Sequence, residues 1–277
     1  MQLGEFQIDV VSGGKFRMDG GTMFGVVPKA LWNRLYPADE NNLIAQETNC
    51  LLVRGSERTV LIDTGYGSKL SDKQLKLMHG ESGCPLTRNL AALEVTPDEI
   101  DTVILSHLHF DHAGGALETD EAGELRATFP RAEYVVQQGE WDVATSGVPE
   151  LKGAYPTENF AALSSLGQLT LIDGDVEIAP GIRAIVTPGH TRFHQSIVVE
   201  SNGETAVFLG DLCPTTRHLR VLWCMSYDID LLEIRRQKAL ILAQVADGDW
   251  LAVFDHDANQ STARLVRDER RDFLAAE

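Results

Sequence analysis

The chain predicts an α/β fold whose functional groups gather along one rim of its sheets. Three observations lead there. Short apolar runs of strand length recur along the chain, separated by turn residues and by stretches of helical character. One long amphipathic segment, Asp228 to Ala246, carries Leu231, Leu232, Ile234, Ala239, Ile241, Leu242 and Val245 at helical spacing. His107, His109, Asp111, His112, His190, Asp211 and His256 all stand just beyond the end of an apolar run. Open α/β sheets place their ligands at the carboxyl ends of strands.

The elements follow in order. Glu5 to Val11 reads as the first strand. Gly20 to Trp32 is glycine-rich and apolar but too irregular for either periodicity. The surrounding arm, about residues 12–47, is expected to form a lid, a dimer loop, or a loop folded back on the core. Thr48 to Val53 and Thr59 to Ile62 are strands about the turn Arg54-Gly55-Ser56-Glu57, and the second ends in Asp63-Thr64-Gly65. Thr96-Pro97-Asp98-Glu99 has the form of a capping box with proline at the first helical position. Strand Thr102 to Leu105 then runs into Ser106-His107-Leu108-His109-Phe110-Asp111-His112.

Tyr134 to Gln137 is a strand followed by a helix from Gly139. Leu169 to Ile172 and Ile182 to Val186 are strands, the second leading to Thr187-Pro188-Gly189-His190-Thr191. Ser196 to Glu200 and Thr205 to Leu209 form a hairpin about Ser201-Asn202-Gly203-Glu204, ending at Gly210-Asp211. Gly248 ends the long helix, and strand Leu251 to Phe254 ends in Asp255-His256. The tail from Arg264 to Leu274 fits hairpin or helix. The 277 residues are read as one functional unit.

Composition removes several function classes. A formal charge of −17 repels phosphate backbones, and no basic run interleaves aromatics, so nucleic acid is not an expected partner. No apolar run approaches the roughly 20 residues of a membrane-spanning helix, and the opening residues lack a signal-peptide pattern. Cys50, Cys84, Cys213 and Cys224 show no metal-site or redox spacing and are read as packed thiols of a cytoplasmic protein.

Three imidazoles and a carboxylate within His107–His112 have no packing rationale, because such groups are costly to bury unpartnered. They are the donors that zinc and similar ions take. His107 and His109 flank one residue and can turn to one ion, with His190 completing three imidazoles and leaving a position open. Asp111, His112 and His256 address a neighbouring ion, and Asp211 is placed to bridge the two.

His107-Leu108-His109-Phe110-Asp111-His112 resembles the HxHxDH motif of the metallo-β-lactamase superfamily. Leu61 to Gly65, Pro188-Gly189-His190-Thr191, Gly210-Asp211 and Asp255-His256 are similar to its companion motifs, from Thr48 to His256 overall. The resemblance implies an αβ/βα four-layer sandwich of two mixed sheets flanked by helices, with two divalent metals at one edge. Zinc is the default, with manganese, iron or cobalt as alternatives. It assigns His107, His109 and His190 to the first metal, Asp111, His112 and His256 to the second, and Asp211 to both. Asp63 would hold a ligand imidazole through a hydrogen bond, with a plain turn residue as the alternative. His194 is expected in a structural hydrogen bond.

Within the superfamily the nearest resemblance is to lactonases that open N-acyl homoserine lactones, carried by Ser106 to Gly115, by Gly189-His190-Thr191 and by His194-Gln195-Ser196. It implies hydrolysis of a small-molecule ester or lactone, with Asp111 or Asp211 moving the proton. Those lactonases have a tyrosine shortly after the bridging aspartate; here Leu212-Cys213-Pro214-Thr215-Thr216 follows Asp211, and Tyr227 or His218 are the substitutes. Phe24, Trp32 and Phe110, with Met23, are candidates for a substrate pocket, core packing being the alternative. The competing activities are phosphotriester or aryl-ester hydrolysis and a glyoxalase II-type thioesterase. An inert metal-binding protein is a different class, and the complete ligand set opposes it. A homodimer through Gly21 to Trp32 is a further expectation.

Overall fold

A computed structural model describes residues 1–120 and 122–276. Seven strands form the first sheet: β1 (Gln2–Leu3), β2 (Phe6–Asp19), β3 (Leu43–Arg54), β4 (Thr59–Ile62), β5 (Thr102–Ile104), then, beyond the small hairpin β6 (Leu117–Thr119) and β7 (Leu125–Ala127), β8 (Glu133–Gln137) and β9 (Leu169–Ile172). The first four pair antiparallel, while β4, β5, β8 and β9 run parallel.

The second sheet holds β10 (Val176–Ala179), β11 (Ile182–Val186), β12 (Gln195–Ser201), β13 (Glu204–Phe208), β14 (Leu251–Val253), β15 (Thr262–Asp268) and β16 (Asp272–Ala275) in sequential order. Only β13 and β14 pair parallel in it. The long helix Leu231–Asp247 makes their crossover. Both sheets are mixed, and each is covered by helices on its outer face.

The two-residue period of the strands creates the layers. On β3 and β4, Leu51, Val53, Val60 and Ile62 face the second sheet, where they meet Ile197, Val199, Ala206 and Phe208. Their neighbours Leu52 and Leu61 face outward onto Leu86 and Leu90 of the helix Pro85–Ala92. Val198, Val207 and Ala252 likewise pack outward against Ile234, Ile241, Leu242 and Val245 of the long helix. Three apolar layers between four structural layers make the αβ/βα sandwich. No helix among the described residues is long and apolar enough to cross a membrane.

Several elements differ from the sequence reading. The first strand continues to Asp19 past an irregularity between Ser12 and Lys15, and its partner begins at Leu43 rather than Thr48. Long-range pairing between these two strands carries them beyond the locally apolar runs. Only the middle of the arm is therefore irregular, as two short helices, Gly20–Phe24 and Lys29–Trp32. Asp19 caps the first of them by accepting from the amides of Gly21 and Thr22.

The capping box at Thr96 closes a single 3₁₀ turn, Pro97–Glu99, because Ile100 turns extended toward β5. The long helix begins at Leu231 rather than Asp228, capped by Asp230. The tail resolves as the hairpin β15–β16, with Asp272 in the left-handed region at φ 62°.

Candidate metal centre

The sheets bring their carboxyl ends together at one edge. The segments after β5, β11, β13 and β14 deliver His107 to His112, His190, Asp211 and His256 to that edge. Ser106 ends the straight path of β5 because its amide and hydroxyl both donate to the Asp63 carboxylate, at 2.7 Å each. A short helix, Phe110–Ala113, then turns Asp111 and His112 back toward the histidines before them. Gly189, at φ 136°, carries the chain to His190 where a side chain would strike the Ile234 backbone.

Two donor groups result. His107, His109, His190 and Asp211 form one; His112, Asp211, Asp255 and His256 form the other, with Asp211 common to both. In the first, Asp211 Oδ2 lies 2.8 Å from His190 Nε2 and 3.8 Å from His107 Nε2, and His190 Nε2 lies 3.0 Å from His109 Nδ1. In the second, Asp211 Oδ2 is 3.7 Å from His112 Nε2 and its Oδ1 is 3.3 Å from His256 Nε2. Asp111 borders this second group, 3.9 Å from His112 Nε2 and 3.6 Å from His256 Nε2.

These residues fit two divalent cations. Four donors about 2.0–2.1 Å from one ion stand about 3.3–3.4 Å apart at tetrahedral angles, and the observed separations scatter around that value. His107 Nε2, His112 Nε2 and Asp211 Oδ1 are buried and have no hydrogen-bond partner in the protein. Buried polar atoms are ordinarily satisfied, and one cation in each donor group would supply the missing partners, His107 in the first, His112 in the second and Asp211 in both.

The remaining ring nitrogens set the tautomers. His112 Nδ1 donates to Asp63 Oδ2 at 2.8 Å, His190 Nδ1 to Asp228 Oδ1 at 2.9 Å, and His256 Nδ1 to the Glu47 carbonyl at 2.8 Å. His107 Nδ1 sits 3.1 Å from Ser106 Oγ, which is already donating to Asp63 and therefore accepts. Each of these four rings is thus held with its Nε2 aimed inward, the atom that offers a lone pair once the ring is neutral.

Burial opposes a charge on His112, yet Asp211, Asp111 and Asp63 outweigh it and hold its imidazole up at about 9. Burial is outweighed likewise at His190, which Asp211 and Asp228 hold up at about 10. Burial and the neighbouring imidazoles push His107 and His109 well below the ordinary histidine value.

Other residues named from sequence take different places. Asp63 touches His112 and both donors of Ser106, which makes it a positioning group. His194 accepts from the Asp211 amide at 3.1 Å through Nε2 and contacts Thr187 Oγ1 at 2.8 Å through Nδ1. Burial keeps it neutral, down at about 3.

Phe110 and Tyr227 line the cavity that opens onto the donors, a space of about 210 Å³ walled also by Phe16, Met18, Met23 and Met225. Phe24, Trp32 and His218 do not. Phe24 is sandwiched between the Trp32 and His218 rings, stacked at 5.2 and 4.7 Å, and all three are buried. His218 Nε2 donates to the Met23 carbonyl, and burial keeps the ring neutral, down at about 3. The arm folds back on the body because this aromatic stack removes it from water.

Sequence reasoning passed over Asp228, Glu140 and Asp255. Asp228 orients His190 from the loop before the long helix and also accepts from the Met225 amide. Glu140 is buried and accepts from Thr191 Oγ1 at 2.7 Å and the Leu108 amide at 3.2 Å, tying both histidine loops together. Its burial pushes the carboxyl up. Only the position of Asp255, beside His256 at a strand end, was a usable signal.

An N-acyl homoserine lactonase of Bacillus sp. is 29% identical over 173 residues, 58% of this chain. The chain spans 61% of the length of that relative. A protein described as a probable metallo-hydrolase of Mycobacterium tuberculosis is 24% identical over 257 residues, covering 81% of this chain and 78% of the relative.

Among solved structures, a probable metal-dependent hydrolase from Staphylococcus aureus superposes with a TM-score of 0.90 at 35% identity, covering 100% of this chain and 99% of the other. A dizinc quorum-quenching lactonase in complex with its product shares the fold, with a TM-score of 0.79 at 20% identity over 100% of this chain and 95% of that one. The family model described as the metallo-beta-lactamase superfamily matches residues 44–272, which hold the complete donor set, and the chain belongs to that superfamily.

Proposed function

We propose that this protein is a dinuclear metal hydrolase that opens the ester bond of a lactone bearing an apolar acyl chain. The observation that carries the reading is the cavity itself. Its floor is His109, Asp111, His190, Asp211 and His256, and its walls are Phe16, Met18, Met23, Phe110 and Met225. A reactive polar end and an apolar tail are the two halves of an N-acyl lactone. Lysine and arginine are absent from the described lining, which disfavours a thioester with an anionic glutathione tail. The lactonase relatives support the same substrate class.

Two divalent cations in these donor groups would supply Lewis acidity and a water of lowered pKa; zinc is the ion this histidine-rich first group favours. The chain's own part is orientation. Asp63, Asp228 and the Glu47 carbonyl fix three rings, and His194 holds the backbone of Asp211 in place. Asp111 stands on the cavity floor, where its carboxylate can receive a proton and pass it to the departing alkoxide oxygen. Tyr227, half exposed, lines the same cavity and is the phenol that takes the role of the tyrosine those lactonases carry. The apolar walls exclude water from the acyl chain.

The test is hydrolysis by metal-loaded protein of an N-acyl homoserine lactone, an aryl phosphotriester and a lactoyl thioester, with Asp211→Ala as blank. The expected result is a kcat/KM on the lactone above roughly 10⁴ M⁻¹s⁻¹, lost in the variant. A preference for the phosphotriester would replace the substrate assignment. Exposed Val26, Leu31 and Leu35 on the arm support a homodimer, which sedimentation at micromolar concentration would reveal or reject. Four free cysteines support a reducing, cytoplasmic setting.

A further inference from the structure

Asp255 is a buried carboxylate that faces the imidazoles of His112 and His256 but receives no hydrogen bond. It is 1% exposed, and neither of its oxygens has a hydrogen-bond partner in the protein. The narrow gap beside it, bounded by Thr48, Asn49, Cys50, Asp63, Asp111, His112 and His256, has no room for a water molecule. A carboxylate in such a place is costly unless a cation faces it. One oxygen is aimed at the second donor group: Asp255 Oδ2 lies 3.9 Å from His112 Nε2 and 3.6 Å from His256 Nε2. Those separations match the ones Asp111 makes to the same two nitrogens, 3.9 and 3.6 Å. The second position is therefore flanked by equivalent carboxylates, Asp111 from the cavity side and Asp255 from the interior.

Resting on the two-metal reading above, we infer that Asp255 is itself a ligand of the second ion, which makes that site a three-carboxylate, two-imidazole site unlike the three-imidazole, one-carboxylate first site. The chemistry of the two positions then diverges. The first suits a four-coordinate ion of zinc type. The second offers up to five donors, three of them hard oxygens, and suits a larger, higher-coordinate ion of manganese or ferrous type. The third carboxylate also lowers the net charge of the loaded centre by one. Asp255 stands in the bend two residues beyond β14, whose Val253 is locked between the sheets, and its backbone carbonyl is fixed there by accepting from the Asn49 amide at 2.6 Å.

The experiment is metal binding, read without turnover. Wild-type protein and the isosteric Asp255→Asn variant are stripped, titrated with Mn²⁺ and Zn²⁺, and followed by metal analysis and Mn²⁺ electron paramagnetic resonance. Wild type is expected to hold two ions. The variant should keep the first and bind the second more weakly by more than about 100-fold, beyond the effect of losing an outer hydrogen-bond partner. A crystal structure of Mn²⁺-loaded wild type, independent of whether the variant folds, should place an Asp255 oxygen about 2.0–2.2 Å from the second ion. Second-ion affinity within about tenfold of wild type in the variant, or an oxygen-to-metal distance beyond about 3 Å, overturns the assignment of Asp255 while leaving the two-metal reading intact. A wild-type protein that holds a single ion overturns both.

Discussion

Replacing Asp63 by asparagine alters the one carboxylate oxygen, Oδ2, that His112 Nδ1 and Ser106 Oγ share behind the candidate metal centre. The Asp63 carboxylate accepts from the Ser106 amide at 2.7 Å, from Ser106 Oγ at 2.7 Å and from His112 Nδ1 at 2.8 Å, all in the interior. Its backbone is left-handed, at φ 60°, a conformation asparagine adopts as readily as aspartate. Backbone strain is therefore not a confounder, as it would be in Asp63→Ala.

The asparagine carbonyl can keep the Ser106 amide. Its amino group then faces His112 Nδ1, donor against donor. His112 must shift its proton to Nε2, the atom that points into the second donor group, and must lose it again to bind an ion. Loss of such an orienting partner typically costs about 10–100-fold in metal affinity, which is about 1.4–2.7 kcal/mol. His107 keeps Ser106 Oγ as its acceptor, so the first ion should be affected far less. Titration of stripped protein against a competing chelator resolves the two ions. Second-ion affinity within twofold of wild type would refute the view that Asp63 sets the tautomer of His112.

Further outcomes follow from other parts of the structure. Phe24→Ala should destabilise the fold by about 3–5 kcal/mol, because it empties a buried stack against Trp32 and His218, with tilted Tyr36 and edge-on Trp223 completing the cluster; a denaturant midpoint unchanged from wild type would contradict this packing. Burial holds His218 down at about 3 against an unfolded value near 6.5. The unfolded state therefore binds the extra proton between those limits, so this contribution is complete above pH about 6.5 and is lost on acidification, at about 1.4 kcal/mol per pH unit. A His218→Asn variant should show a pH–stability slope in that window reduced by about one proton, measured by urea unfolding across pH 4 to 6.5. Metal loading should release protons, because Asp211 and its neighbouring carboxylates hold His112 and His190 above neutrality against their burial; an indicator dye in weak buffer records this, and loading with no proton release at pH 7 would contradict it. Chelation should lower thermal stability, each ion contributing about 4 kcal/mol when present at a thousandfold its Kd.

The amino-acid sequence alone determined the strand cadence and the identity of most donors. Strand faces alternate every two residues, so Leu51 and Val53, or Ile197 and Val199, declare a buried face without reference to any partner. His107, His109, Asp111 and His112 stand within six residues, and local geometry alone keeps them together. His190, Asp211 and His256 were legible because each follows an apolar run, a placement that parallel strand ends turn into proximity. Tertiary structure decided what depends on contacts between distant segments. Strands β2 and β3 lengthen into the arm because each supplies the other's hydrogen bonds. Phe24, Trp32 and His218 leave the pocket for the core because nearly 200 residues of intervening chain bring them into one stack. Asp228 and the Glu47 carbonyl orient ligand imidazoles from positions that carry no motif. Whether a carboxylate such as Asp255 meets water, a hydrogen-bond donor or a cation is set by the shape of the space around it, and that shape exists only once both sheets have closed on one another.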